Sequence, residues 1–247
     1  MSGMSAPSDL THTAEIHTAD VEFFFDPVCP FCWQTSQWVR QVARLRDLDV
    51  RWRFISLRFL NEPIGYDDLP ANYPEAHAQG TRLLRVAAAT RAAHGHEAVG
   101  RLYRAMGEAI WEVDPPGDGS FPAILERHAQ GIAIEPILSE VELPTDLAQA
   151  ADSTEYDQVL RDETAEALSR AGDDVGTPIV SLSPPDGPAF FGPVISDLPS
   201  DEDAVELWDA MVTLSKWPGF AELKRSLRTI PDIRSMAQLR DRSTTAA

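Results

Sequence analysis

The sequence of 247 residues predicts an α/β fold that is interrupted by a large helical insertion. Three observations support this prediction. A strand, a Cys-x-x-Cys motif, a helix and a second strand follow one another over residues 21–57. Residues 62–171 then show mainly helical periodicity, and strand character returns after Gly172. We therefore expect two separated pieces of chain to form one α/β domain around an inserted helical subdomain.

The first piece reads as a strand, a helix and a parallel strand. Val21–Asp26 is short, aromatic and ended by an Asp-Pro turn signal, as expected for a buried strand. The helix that follows the cysteines is amphipathic, with arginines opposite an apolar face. That face consists of Trp38, Val39, Val42 and Leu45. Apolar residues alternate with arginines in Asp49–Leu57, which indicates the second strand, and a βαβ unit makes the two strands parallel.

The insertion contains several helical periods and few β-branched runs. Helices are predicted at Glu75–His94, Glu97–Trp111, around Phe121–His128, at Pro144–Ala151 and at Ser153–Ala171. Gly172 is suited to end the last of them. The loop Asp114–Gly119, with two prolines and two glycines, joins two of these helices.

The second piece of the α/β domain reads as a hairpin followed by a helix. Gly176–Pro178 leads into a strand at Ile179–Leu182, and a second strand at Ala189–Ile195 follows a proline-rich turn. Ser200–Asp203 resembles a capping box, which predicts a helix start there. The helix should end before Trp217, where a Pro-Gly pair follows.

The predicted organisation has four parts. Residues 21–61 and 172–228 form the α/β domain, and residues 62–171 form the inserted helical subdomain. Residues 1–20 and 229–247 are polar and poor in apolar side chains, so we expect a flexible leader and a flexible tail.

Charge and hydropathy exclude several classes of partner. Lys and Arg total 21 against 39 Asp and Glu, a formal net charge of −18. Such a charge argues against nucleic acid and anionic membranes as partners. No stretch reaches the roughly 18 apolar residues of a membrane helix, and the first residues lack the basic start and apolar core of a secretory signal. We expect a cytoplasmic protein.

The two cysteines, Cys29 and Cys32, carry the strongest functional signal. A thiol at the start of a helix is stabilised as an anion by the helix amides and macrodipole. That thiolate can attack a disulfide or another soft electrophile, and a second thiol one turn later can resolve the mixed disulfide. The alternative is half of a zinc site, but zinc takes four ligands and no second such motif exists, so no metal is expected.

Pro178 is the second signal, although a weak one from the residues alone. A cis-proline at the start of this strand would press against the cysteine motif and leave the backbone of Thr177 free to pair with an extended substrate. About 5–6% of X–Pro bonds are cis, so trans is the default for any single proline.

Four segments occur in an order that resembles a known family: Phe25–Trp33 (FDPVCPFCW), Asp174–Pro178 (DVGTP), Ala189–Val194 (AFFGPV) and Leu207–Asp209 (LWD). Over about residues 21–228 the chain resembles the DsbA-like branch of the thioredoxin superfamily, and within it the mycothiol-dependent nitroreductases. The resemblance implies a thioredoxin-like α/β fold with an inserted α-helical subdomain. It also implies a cytosolic thiol-disulfide oxidoreductase with no bound cofactor, for which the low-molecular-weight thiol mycothiol is the co-substrate.

The same resemblance assigns roles to individual residues. Cys29 matches the attacking cysteine, Cys32 the resolving one, Pro178 the cis-proline and Thr177 the residue before it. Pro30 and Phe31, between the cysteines, are expected to contact substrate together with Thr177 and Pro178. The implied substrates are disulfides or small electrophiles such as nitro-aromatics.

Two other functions stay open at this point. One is a thiol transferase or isomerase similar to glutathione S-transferase kappa or hydroxychromene carboxylate isomerase, which needs no resolving cysteine, so that Cys32 argues against it. The other is a non-catalytic binding module, which an ordinary titration of Cys29 would support. The oligomeric state is also open, with a homodimer as one option.

Two acidic residues near the cysteines have two interpretations. Asp26 or Glu22 could shuttle a proton for Cys32 if either is buried. The interpretation that we favour from sequence is a turn-forming Asp26 before Pro27 and an exposed Glu22 at a strand start.

Overall fold

A computed structural model describes residues 19–225 and 229–245. One four-stranded sheet has the strand order β2-β1-β3-β4. Its strands are β1 Val21–Phe25, β2 Val50–Phe54, β3 Ile179–Leu182 and β4 Ala189–Phe191. β1 pairs parallel with β2 and antiparallel with β3, which in turn pairs antiparallel with β4. The predicted parallel pair and hairpin are confirmed, and the architecture is a thioredoxin-like α/β fold.

Eight α-helices lie in the described part of the chain. They are α1 Pro30–Arg46, α2 Leu57–Asn61, α3 Tyr73–Trp111, α4 Phe121–Gln130, α5 Glu135–Glu140, α6 Asp157–Ala171, α7 Asp201–Ser215 and α8 Ala237–Thr245. Helices α3 to α6 belong to the expected helical insertion. The short helix predicted at Pro144–Ala151 is a 3₁₀ helix at Thr145–Asp152.

Two predicted helices of the insertion are halves of one element. α3 runs for 39 residues, but Gly95 inside it has φ 80 and ψ −178, which breaks the helical path. A positive φ favours glycine because it has no Cβ. The break falls between the predicted helices Glu75–His94 and Glu97–Trp111, so the sequence placed the interruption correctly.

β1 is the central strand beside β2 and β3, and all five of its residues are buried. A strand covered on both faces reads as a continuous apolar run. Glu22 is the exception, and the expectation of an exposed Glu22 is wrong because its side chain is buried in an ion-pair network. It pairs with Arg53 at 2.6 Å and with Arg170 at 2.8 Å. Its two cationic partners make the burial of this charge tolerable.

The second half of α3 packs closely against two tryptophans. A Cβ at Gly100 would lie 2.8 Å from Nε1 of Trp52, and one at Gly107 would lie 2.1 Å from the six-membered ring of Trp33. Tyr103 lies between these two glycines and is fully buried. The absence of side chains at both glycines therefore sets how near α3 comes to the sheet and to the helix that carries the cysteines.

Gly107→Ala should lower the free energy of unfolding by roughly 2 kcal/mol. Alanine favours a helix by about 1 kcal/mol over glycine, but the overlap with Trp33 forces a core shift whose cost lies at the upper end of about 1–3 kcal/mol. Urea unfolding measures the change, and Trp33→Leu, which removes the obstructing ring, should recover part of it in the double variant. A more stable Gly107→Ala protein would contradict this packing.

The expected flexible tail, residues 229–247, makes contacts with the rest of the chain. In the described part of this segment Ile233 and Met236 are buried. Arg234 pairs with Asp114 at 2.7 Å, which ties the segment to the loop after α3. Two isolated apolar residues in a polar stretch give little sign of burial in the sequence, and the flexibility of the tail stays a prediction. The predicted leader, residues 1–20, lies almost wholly outside the described residues.

The remaining boundaries, 21–61 with 172–228 for the α/β domain and 62–171 for the insertion, stay proposals. α2 ends at Asn61, directly before the predicted insertion, and α6 ends at Ala171, the last residue of that insertion. Within the described residues no helix has the length and apolar character needed to cross a membrane.

Candidate active site

Cys29 is the N-cap residue of α1. Its sulfur accepts a hydrogen bond from the backbone N–H of Cys32 at 3.2 Å. Pro30 begins the helix, where the missing N–H of proline costs nothing. An N-cap side chain usually presents an oxygen to the first amides of a helix, but here it presents a sulfur. The free amides and the macrodipole of α1 therefore act on the sulfur of Cys29.

The two signals of the sequence meet at this sulfur. The hydroxyl of Thr177 donates to Sγ of Cys29 at 3.1 Å, across 148 positions of the sequence. The peptide bond between Thr177 and Pro178 is cis, as the family resemblance implies. The sequence predicts a role for the backbone of Thr177, whereas its side chain makes the contact with Cys29.

The environment lowers the pKa of one thiol and raises the pKa of the other. Burial alone would raise the pKa of Cys29, but hydrogen bonds from Cys32 and Thr177 outweigh it, and the pKa is lowered. Burial and the hydrogen bond to the Cys29 sulfur raise the pKa of Cys32 well above its ordinary value. Cys29 is also the more exposed residue, at 5% against 0% for Cys32. The arrangement favours attack by Cys29 while Cys32 holds its proton.

Asp26 forms the turn that the sequence predicts, and it is also buried, which was the condition for a role in proton transfer. Its Oδ1 accepts from the N–H of Val28 at 3.0 Å, which is the expected turn contact. Its Oδ2 accepts from the N–H of Leu57 at 2.8 Å, and its side chain has no solvent exposure. Burial raises the pKa of Asp26 to about 7 in spite of these hydrogen bonds. A carboxyl with that pKa can take up and release a proton near neutral pH.

The remaining predicted site residues directly follow Cys29 or Thr177 in the chain. Pro30 and Phe31 are partly buried at the start of α1, and Pro178 is buried. The carbonyl of Pro193, two residues after β4, accepts a hydrogen bond from the hydroxyl of Thr35 on α1 at 2.8 Å. The chain after the hairpin is thereby fixed against α1. A contact of Pro30, Phe31 or Pro178 with substrate stays a prediction.

Trp33 connects the motif to the insertion, a link that the sequence did not reveal. Its ring is buried, and its Nε1 donates to Oε1 of Glu112 at 2.7 Å. Glu112 directly follows α3 and precedes the loop Asp114–Gly119. Among the described residues, no group of three or more His, Cys, Asp or Glu side chains is placed to hold a metal ion.

Thr177→Val should reduce the reactivity of Cys29. A hydrogen bond to a charged group contributes about 1.5 kcal/mol or more, so the pKa of Cys29 should rise by roughly one unit, and the thiolate population below that pKa should fall roughly tenfold. The rate of alkylation by iodoacetamide, followed from pH 4 to 9, measures this population. Thr177→Ser keeps the hydroxyl and should restore the wild-type profile. An unchanged profile in Thr177→Val would show that the hydroxyl does not stabilise the thiolate.

Comparisons with known proteins match most of the chain. A family model described as "Rv2466c-like: Mycothiol-dependent nitroreductase Rv2466c" matches residues 28–225. The uncharacterized protein Rv2286c of Mycobacterium tuberculosis is 29% identical over 218 residues, which cover 88% of this chain and 86% of that protein. Among solved structures, the cytosolic disulfide reductase DsbM from Pseudomonas aeruginosa with GSH is 16% identical, with a TM-score of 0.48, and covers 78% of this chain and 99% of its own. A second DsbM structure is 18% identical, with a TM-score of 0.46, and covers 78% and 98%.

Proposed function

The chain belongs to the Rv2466c-like family of mycothiol-dependent nitroreductases, and from that membership we propose how its cysteines act. It is a thiol-dependent oxidoreductase. We assign Cys29 as the attacking thiolate and Cys32 as the resolving thiol. Mycothiol, the low-molecular-weight thiol, returns the oxidised pair to the dithiol, and no bound cofactor takes part.

With a disulfide as substrate, the cycle has three steps. The Cys29 thiolate attacks one substrate sulfur, which forms a mixed disulfide and releases the other half as a thiolate. Cys32 then loses its proton and attacks the sulfur of Cys29, so the intramolecular disulfide forms and the second substrate thiolate leaves. Two mycothiol molecules reduce that disulfide and leave as mycothiol disulfide. Each cycle moves two electrons from mycothiol to the substrate.

A nitro-aromatic compound is the second class of acceptor that we propose. Its reduction to the nitroso compound takes two electrons and two protons from the dithiol and releases one oxygen as water. Pro30, Phe31, Thr177 and Pro178 are the proposed substrate contacts, since they adjoin the sulfur that the substrate must reach.

One observation carries the assignment of the nucleophile. The sulfur of Cys29 accepts two hydrogen bonds, at 3.2 Å from the N–H of Cys32 and at 3.1 Å from the hydroxyl of Thr177. Both donors stabilise the anion that attacks, and an inert buried thiol would not need them. This arrangement supports a catalytic role for the cysteine motif over a non-catalytic binding module.

We place the reaction in the cytoplasm, where a low-molecular-weight thiol keeps such a pair reduced. Cys32 lies one turn after Cys29, and its N–H contacts the Cys29 sulfur. This favours a reductase with a resolving thiol over a transferase or isomerase of the glutathione S-transferase kappa type.

Trapping the mixed disulfide tests the proposal. Cys32→Ser should hold one mycothiol on Cys29 after exposure to mycothiol disulfide, because the resolving thiol is missing. Mass spectrometry of the intact protein detects that adduct. Cys29→Ser is the matched control and should form none, since Cys32 is fully buried.

Turnover completes the test. Wild-type protein should reduce a nitro-aromatic compound or a small disulfide with mycothiol faster than with glutathione or thioredoxin at equal concentration. Full turnover by Cys32→Ser would favour the transferase or isomerase instead. Absence of any adduct and of any turnover would contradict the proposed function.

A further inference from the structure

A cavity of about 320 Å³ lies between α3 and α4. Apolar side chains form most of its wall, with Val28 before α1, Leu83 and Ile110 on α3, and Ile132 and Ile134 after α4. Its size falls at the lower end of the range for small-molecule sites, which is about 300–1,000 Å³. The cavity can therefore hold a small ligand with an apolar body.

This cavity adjoins the segment that carries the nucleophile but is separate from the proposed thiol site. Neither cysteine lines it, and none of the proposed substrate contacts does. Val28, in the wall, directly precedes Cys29 in the chain. The cavity is thus a second candidate site, which the proposed thiol chemistry does not use.

One residue of the wall has a buried nitrogen without a partner. Nε2 of His128 is shielded from solvent and forms no hydrogen bond within the described part of the chain. The imidazole ring stands edge-on to Trp111 with ring centroids 4.6 Å apart, and Nε1 of Trp111 donates to the carbonyl of Pro27 at 2.9 Å. A buried polar atom without a partner lowers stability, and native proteins keep few of them. A polar group on a ligand would supply the missing partner.

His128 is neutral at pH 7. Burial and, to a lesser extent, the nearby charge of Arg127 lower its pKa to about 4. A neutral imidazole keeps one N–H, and in the tautomer with the proton on Nε2 this nitrogen is a donor. His128 therefore offers a hydrogen bond to an oxygen acceptor in the cavity.

Arg127, the neighbouring residue on α4, adds a cation to the same wall. Its guanidinium donates to the carbonyls of Asp114 at 2.9 Å and of Ile110 at 3.1 Å, and it forms no ion pair with any residue that the structure describes. The carboxylate of Asp114 pairs with Arg234 instead, at 2.7 Å. A partly buried cation without a carboxylate is costly, so the charge of Arg127 is available to an anion.

The cavity is positively charged in a chain that is acidic as a whole. Arg82, the other cation of the wall, pairs with Asp152. Of the residues 19–225 and 229–245, no Asp or Glu lines the cavity, although the net charge of the chain is −18. Such local charge favours an anionic ligand over a neutral or cationic one.

We propose that the cavity between α3 and α4 binds a small apolar carboxylate. The hydrocarbon body lies against the aliphatic wall, and the carboxylate accepts hydrogen bonds from Arg127 and from Nε2 of His128. A guanidinium matches the two oxygens of a carboxylate in geometry and charge. A phosphate is less suited, because its larger charge needs more donors than this mainly apolar wall provides.

Calorimetric titration with 2-naphthoate tests the proposal, and 2-naphthamide, which has the same shape but no charge, is the matched ligand. At pH 7 the wild-type protein should bind naphthoate at least roughly tenfold more tightly than naphthamide, since hydrogen bonds to a charged group are the stronger ones. Neither compound contains a disulfide or a nitro group. Binding is therefore measured without turnover and independently of the proposed thiol chemistry.

Three variants locate the bound ligand. In Arg127→Met the preference for naphthoate over naphthamide should fall to within about threefold, and in His128→Phe, which keeps a ring against Trp111, naphthoate should bind roughly tenfold more weakly. Ala109→Leu narrows the cavity and leaves its polar groups in place, so both ligands should bind at least roughly tenfold more weakly. Arg104→Met removes an exposed arginine of α3 outside the cavity and is the matched control, with binding unchanged.

The thermal midpoint of each variant is measured first, because Arg127→Met also loses two hydrogen bonds to backbone carbonyls. If that variant does not fold, His128→Phe and Ala109→Leu decide the question. Absence of naphthoate binding to the wild-type protein, or equal binding of the two ligands, overturns the proposal. Unchanged naphthoate binding in Ala109→Leu also overturns it, because the ligand would then bind elsewhere.

Discussion

Cys29→Ser should lower mycothiol-dependent turnover by at least about a thousandfold, because it removes the nucleophile. A serine hydroxyl stays protonated at neutral pH and is a poor nucleophile toward sulfur. The fold should persist, since serine is a favourable N-cap residue and can accept the same hydrogen bond from the N–H of Cys32. Steady-state rates with a disulfide or a nitro-aromatic substrate measure the loss, and urea unfolding checks the fold.

The control for this prediction keeps the nucleophile and removes the second thiol. Cys32→Ser should still attack substrate once per molecule and then stop at the mixed disulfide. A first-turnover burst followed by arrest is the expected signature. If Cys29→Ser kept more than about a tenth of the wild-type rate with the fold intact, chemistry at another site would be responsible.

Asp26→Asn should stabilise the protein at alkaline pH and weaken it at acid pH. The folded chain holds the Asp26 proton with a pKa of about 7, against 3.8 for the unperturbed group. One pKa unit corresponds to about 1.36 kcal/mol, so the difference amounts to about 4 kcal/mol. Asparagine carries no charge and avoids this cost at every pH.

The direction follows from which state holds the proton. Between about pH 4 and pH 7 the unfolded chain ionises at Asp26 while the folded chain stays protonated. The stability from the protonated group is therefore complete below pH 3.8 and is lost as the pH rises through about 7. Asparagine keeps one of the two acceptors for the N–H groups of Val28 and Leu57, and the lost bond costs about 1–3 kcal/mol.

The measurement is urea unfolding of both proteins from pH 4 to pH 8. The variant should be less stable at pH 4 and more stable by about 1–3 kcal/mol at pH 8. Burial lowers the pKa of His77 and of His128 to about 4, so both destabilise the folded chain as the pH falls. Both proteins share that effect, and the difference between them isolates Asp26. A difference independent of pH would show that Asp26 ionises normally in the folded chain.

Local patterns were enough to predict the elements that carry the cysteines. An aromatic run, a turn and an amphipathic repeat defined β1 and α1, because burial on one face imposes a period that sequence can show. Thr177 and Pro178 were found through motif order and not through any local signal. The contact of Thr177 with Cys29 joins positions 148 residues apart.

Features that depend on distant partners could not be predicted in the same way. The sequence indicates an exposed Glu22 at a strand start. Its burial depends on the ion pairs with Arg53 and Arg170, which offset the cost of removing its charge from water. Asp26 reads as a turn former, which it is, but the burial that raises its pKa depends on the approach of α3 at Gly80. Burial of an isolated charge or of a short apolar pair has no periodic signature.

A small number of specific contacts joins the C-terminal segment to the loop after α3. Arg234 pairs with Asp114, and Arg242 donates to the carbonyl of Asp118 at 2.6 Å. Gly119 faces Gln238 so closely that a Cβ there would lie 2.2 Å from its Oε1. Residues in such contact tend to co-vary. Among homologous chains, a loop that lengthens or loses its acid should therefore be accompanied by a changed C-terminus, and the two stretches should evolve as one unit.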